Sequence, residues 1–268
     1  MKNSQRMPAL FIGHGSPMNA LQNNQCTQSW QRLGARLPRP RAILAVSAHW
    51  TTRGTAVTAM AAPPTIHDFG GFPQALFDIE YPAAGDPVLA ARVRELLAPL
   101  PVQLDQSWGL DHGSWSVLYK MYPAADVPVL QLSIDLTQDA AFHLDLGRRL
   151  ALLREEGMLI LGSGNLVHNL RAVVWDGAAP AFDWALRFNR TMRDCLLADD
   201  RAQLLAAMTD GPDARLAVPT TEHFLPLLYA LGSKQPDDTV TFFNDVVELG
   251  SIGMLSAGFG LPAGLALA

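Results

Sequence analysis

Cysteine is almost missing from this chain. The two present, Cys26 and Cys195, stand far apart and in no Cys-x-x-Cys pair, which excludes a disulfide framework and fits two reduced thiols in a cytosolic protein. Long apolar runs are missing too. No stretch of about 18 uncharged apolar residues occurs, so no membrane span is expected. The polar start, Met1 to Arg6, has none of the apolar character of a secretory leader. Charge is sparse, at 17% of residues with a formal net charge of -5. Acidic and basic residues are mixed, with no basic stripe for nucleic acid and no polybasic segment for an anionic membrane. Internal repeats and low-complexity linkers are also lacking. The expectation is a cytoplasmic protein, monomeric or a small homo-oligomer, with neither nucleic acid nor membrane as a partner.

What is abundant is apolar residue, 49% of 268, enough for a sizeable core and too much for a disordered chain. Short apolar runs alternate with longer helical stretches, the βα pattern of a layered α/β fold. The expected architecture is a single domain over residues 1–268, with a central mostly parallel or mixed sheet flanked by helices. Strands are predicted at 8–13, 41–47, 55–60, 102–104, 127–134, 158–162, 240–243 and 252–256. Helices are predicted at 28–37, 86–97, 115–121, 139–155, 182–198, 201–208 and 222–231. Residues 61–84, rich in Pro and Gly, read as a long ordered loop.

The seven histidines are not scattered. His14 follows the first predicted strand, His49 the second, and His168 the strand at 158–162. Ligands of open α/β sheets bind at the carboxyl ends of strands, so these three are expected to converge. His14 is framed by Gly13 and Gly15, and His168 follows Gly162-Ser163-Gly164-Asn165, so little bulk keeps other groups away. His49 closes an otherwise apolar run, where a buried imidazole needs a partner and a metal is one such partner. Thr221 reads as an N-cap that places Glu222 and His223 in a first helical turn. Residues adjacent on a helix point about 100° apart, so one of the two, but not both, is expected to complete a metal shell. None of these positions has a local zinc-motif spacing such as HExxH.

Six segments carry a further signal: His14-Gly-Ser-Pro, Ser47-Ala-His49-Trp50, His67-Asp-Phe-Gly-Gly-Phe-Pro73, Asp111-His112-Gly113, Gly162-Ser-Gly-Asn-Leu-Val-His168-Asn169 and Glu222-His223-Phe-Leu-Pro. In this order, over about Met7 to Gly258, the chain resembles the class III (type II) extradiol ring-cleavage dioxygenases, and within them the branch that opens L-DOPA at its 4,5 bond. The resemblance implies one divalent metal held by His14, His49 and His223, with His168 as a further ligand or an acid/base group. It implies His112 as a second acid/base residue. The loop His67 to Pro73 would shape the substrate pocket, with His67 either in contact with substrate or a loop histidine hydrogen-bonded to backbone. A catechol and dioxygen would be the partners. Ferrous iron would be the working metal, and an all-nitrogen shell would also hold zinc. His143 matches no motif and reads as structural or exposed.

Two other readings accompany this one. The same shell could activate water in a zinc hydrolase of a small ester or amide, or the fold could serve as a non-catalytic metal-binding protein. A serine nucleophile is disfavoured, since Gly162-Ser163-Gly164 lacks the GxSxG elbow.

Overall fold

A computed structural model describes residues 6–175 and 180–265. Ten strands are present among them: β1 (Ala9–Gly13), β2 (Ala42–Thr52), β3 (Thr55–Thr58), β4 (Val102–Asp105), β5 (Val129–Asp135), β6 (Met158–Gly164), β7 (Val240–Phe243), β8 (Val247–Glu248), β9 (Ile252–Gly253) and β10 (Ser256–Phe259). Eight of them form one sheet in the order β4-β3-β5-β2-β6-β1-β10-β7, and β8 pairs with β9 in a small hairpin. The centre, β5-β2-β6-β1, is parallel, while β3 and β10 run antiparallel to it on either side. The sheet is therefore mixed.

Burial on both faces explains why the central strands read as continuous apolar runs. Side chains alternate across the sheet. Ala9, Phe11, Leu44, Val46 and Ile160 enter one core, and Leu10, Ile12, Ile43, Ala45 and Leu161 enter the other. The first core is covered by α3 (Pro87–Leu96), α5 (Ala140–Leu150), α7 (Asp183–Ala198) and α10 (Leu225–Gly232), and the second by α1 (Gln25–Arg36) and α4 (His112–Met121). The remaining helices are α2 (Gln74–Phe77), α6 (Leu152–Glu155), α8 (Arg201–Thr209) and α9 (Gly211–Ala217). Fully buried Arg154 ties the edges together, donating to the carbonyls of Met7 and Ser233 and to the Asp238 carboxylate. Among the described residues no helix is long and apolar enough to cross a membrane.

Five departures from the sequence expectation stand out, the first three of which bear on the site. The second strand does not stop at Ser47 but continues to Thr52, so His49 lies within it. Between Val46 and Thr51 the strand advances five residues while β5 advances two, from Leu132 to Ile134, and this bulge turns His49 off the regular ladder. Helix α4 starts at His112 rather than Trp115, because the Asp111 side chain caps it by accepting from the Ser114 N–H. The helix expected from Glu222 starts at Leu225, with Pro226 in its first turn. Glu222 and His223 sit instead in a preceding turn closed by bonds from the Phe224 and Leu225 N–H groups to the Thr221 carbonyl. Finally, the 139–155 helix breaks at Ala151 into α5 and α6, and α9 was not anticipated.

Candidate metal centre and its cavity

The carboxyl ends of three adjacent strands, β2, β6 and β1, bring five histidines together. The ring centroid of His14 lies 5.1 Å from that of His49, 5.8 Å from His112 and 5.5 Å from His223. His168 stacks face to face on His223, with centroids 3.5 Å apart and planes 8° from parallel. Close approach depends on absent side chains. A Cβ on Gly113 would overlap the Ser47 hydroxyl and the His49 ring, and a Cβ on Gly164 would overlap the His223 carbonyl.

Hydrogen bonds set which nitrogen of each ring is free. The Ser163 hydroxyl donates to the Gly113 carbonyl, so its oxygen accepts from His14 Nδ1 at 3.0 Å. His14 therefore carries its proton on Nδ1 and keeps a lone pair on Nε2. His223 Nδ1 donates to Glu222 Oε1 at 3.1 Å, and Glu222 also accepts from the Thr220 hydroxyl at 2.7 Å. Asp68 Oδ2 stands 3.4 Å from His49 Nδ1, which leaves Nε2 of that ring bare as well. A partner on the far nitrogen is the usual means of orienting a metal-binding imidazole.

Burial keeps these rings neutral. It pushes His14 and His223 well below the usual imidazole range, and the neighbouring histidines push in the same direction. His49 falls to about 3, from burial first and His112 second, with Asp68 opposing. His168 falls to about 4, mainly from burial, against the pull of Glu222. Asp68 is pushed up by burial but held below its ordinary range by its contacts with His112 and, further down, with His49. Its Oδ2 is 2.9 Å from His112 Nδ1, though out of line with the ring N–H, and its Oδ1 accepts from the His112 backbone N–H.

The donor set fits a metal ion. His14 Nε2, which keeps its lone pair, and His49 Nε2 face each other at 3.3 Å. Two imidazole nitrogens about 2.0–2.1 Å from one tetrahedral zinc would be about 3.4 Å apart. His223 Nε2 is buried and has no hydrogen-bond partner, an arrangement that costs about 1–3 kcal/mol unless something binds it. By distance alone, the ligand-capable atoms form two groups, each within 4.8 Å: His14, His49 and His112, and His168, Glu222 and His223. The expected set of His14, His49, His168 and His223 is thus divided between the two.

These histidines line one end of a cavity of about 390 Å³, whose other walls include Phe69, Phe72, Leu170, Val173 and Trp175. His67 is not among its lining residues. Its Nε2 bonds the Ile79 carbonyl at 3.0 Å and its ring packs against Phe69, Phe77 and Trp115. Of the two readings of His67, this geometry matches the loop histidine bonded to backbone, and its neighbours Asp68, Phe69, Gly70 and Phe72 reach the cavity. His143 is buried in the first turn of α5 and bonds the Tyr229 hydroxyl at 2.8 Å. Sequence reasoning missed Asp68 and Ser163 as partners of the rings. The only signal for either was its position inside a quoted segment.

A mixed sheet with neutral histidines at its strand ends, facing an aromatic-walled cavity, defines a candidate metal-dependent enzyme of small aromatic molecules. Residues 8–260 match the family described as the catalytic LigB subunit of aromatic ring-opening dioxygenase, and the chain belongs to that family of enzymes. It is 55% identical over 261 residues to an Escherichia coli (strain K12) protein named 4,5-DOPA dioxygenase extradiol, covering 96% of each chain. A Beta vulgaris protein of the same name is 40% identical over 233 residues, covering 83% of this chain and 85% of that one. A crystal structure of an uncharacterized protein from Escherichia coli K12 superposes with a TM-score of 0.84 at 49% identity, covering 95% of this chain and all of the other.

Proposed function

We propose that the chain opens a catechol ring with dioxygen at a single divalent metal, and that L-DOPA, cleaved at the 4,5 bond to 4,5-seco-DOPA, is a substrate. The observation that carries this reading is the set of three bare Nε2 atoms, on His14, His49 and His223, each set by a partner on its Nδ1 side. These three would hold the metal. Glu222 is engaged by His223 and Thr220, so its role is to orient His223. Bound there, ferrous iron supplies Lewis acidity toward the catechol hydroxyls and the redox chemistry that dioxygen requires. The names of the relatives from Escherichia coli, Beta vulgaris and Portulaca grandiflora support the substrate.

The chain's own residues supply the rest. His168 is neutral at pH 7 and lines the cavity, so its ring nitrogen can take a proton from a catechol hydroxyl. Stacking on His223 fixes the plane of that ring. His112, held by Asp68 through its backbone N–H and with Nδ1 turned toward the Asp68 carboxylate, lines the cavity and would present Nε2 to a substrate or oxygen atom. Phe69 and Phe72 offer flat apolar walls to an aromatic ring, which keep bulk water from the reacting carbons.

The roles separate by mutation. His14→Ala is expected to abolish tight metal binding, read by metal content after dialysis. His112→Ala is expected to keep the metal and lose at least a hundredfold in turnover, the common size of a lost acid/base group. Wild-type turnover in His112→Ala would remove that residue from the mechanism.

A further inference from the structure

The histidine cavity does not end at its aromatic wall. A second chamber of about 450 Å³ lies beyond it and shares four lining residues with it, Ser16, Phe72, Trp175 and Leu249. The far side of this chamber includes Glu248 in β8, beside Asn24. The Glu248 carboxylate has a weak partner, the Cys26 thiol at 3.8 Å. Among the described residues no lysine, arginine or histidine contributes charge to it, and burial pushes it above its ordinary range. A half-buried carboxylate without a counter-ion, on a residue that lines a cavity, is disfavoured unless a cation arrives. Among the described residues, neither chamber has a lysine or arginine in its lining. Asn24 is spent locally, capping α1 through the Thr27 N–H and donating to Asn19, which leaves the carboxylate as the recognising group.

We propose that the second chamber is the side-chain subsite of the ring-cleaving site, and that Glu248 selects catechols carrying a short arm that ends in an ammonium group. The inference rests on the proposed catechol-cleaving function. The ring occupies the histidine cavity, and the arm passes the gap between Phe72 and Trp175. The ammonium pairs with Glu248. An arm ending in a lone carboxylate meets like charge and no cation, and is rejected.

The test is calorimetric binding to the metal-loaded protein without oxygen, using dopamine, 4-ethylcatechol and 3-(3,4-dihydroxyphenyl)propionate. These probes share a catechol ring and differ in the charge of the arm. Dopamine is expected to bind about tenfold more tightly than 4-ethylcatechol, the size of one charge-assisted hydrogen bond, and the propionate more weakly than either. In Glu248→Gln the dopamine advantage should vanish while 4-ethylcatechol binds as before, which also shows that the variant is folded. Equal affinities in the wild type, a retained dopamine preference in Glu248→Gln, or equal weakening of all three probes would overturn the subsite while leaving catechol cleavage standing. Failure of every catechol to bind would overturn both.

Discussion

Ser163 is the least conspicuous member of the metal centre, and its removal should be costly. In Ser163→Ala one oxygen disappears from a fully buried position. Two groups then lose their partner at once, the His14 Nδ1–H and the Gly113 carbonyl. Each buried unsatisfied group costs about 1–3 kcal/mol, so folding stability should fall by about 2–6 kcal/mol. Nothing then holds the His14 proton on Nδ1, and the tautomer that blocks Nε2 becomes populated. Loss of such an orienting partner typically weakens metal binding 10- to 100-fold. Competition with a chromogenic chelator, at a temperature where the far-ultraviolet dichroism of the variant matches that of the wild type, reads the affinity directly. An unchanged zinc or iron affinity in a folded Ser163→Ala protein would refute the assignment of the His14 tautomer, and with it the way this ring is aimed.

Two further outcomes follow from the packing and the charges. Gly164→Ala should displace the turn carrying His223, because its Cβ would overlap that residue's carbonyl. A strain of about 1–3 kcal/mol and at least tenfold weaker metal binding are expected, and wild-type affinity in chelator competition would show that the turn yields freely. His143, buried beside Tyr229, is lowered by burial to about 4 from 6.5. As pH falls below 6.5 the unfolded chain takes a proton there that the folded chain refuses until about pH 4. Stability should therefore drop by about 1.4 kcal/mol per pH unit over that window from this group, roughly 3 kcal/mol in all. Urea midpoints of the wild type and His143→Gln between pH 7.5 and 4 would test it, the variant showing a shallower slope by one proton. Parallel slopes would contradict it.

The histidines were legible because a two-sided parallel strand writes itself as an apolar run. The residue after such a run is at the sheet's carboxyl edge wherever the strand sits in the sheet order. His14 and His168 needed nothing more. His49 arrived at the same edge by another route, since the β2 bulge comes from pairing with β5, some 80 residues away, and has no local signature. The turn at Thr221 was hidden for the opposite reason. Its local pattern fits a helix start, but Pro226 in the first turn of α10 sets the true beginning. The partners that hold these histidines were illegible in principle: Ser163 meets the His14 ring across 149 residues and Asp68 meets the His112 backbone across 44. His67 shows the limit of a motif, because the segment lies at the cavity and that side chain does not line it.

The central claim is best tested by oxygen uptake. The metal-free protein, reconstituted anaerobically with ferrous iron, is given L-DOPA in air while dissolved oxygen and visible absorbance are followed together. Consumption of one dioxygen per DOPA with a yellow ring-opened product is the expected result. No uptake with L-DOPA or simple catechols, alongside ester hydrolysis by the zinc-loaded protein, would contradict the dioxygenase reading and favour a hydrolase at the same histidines.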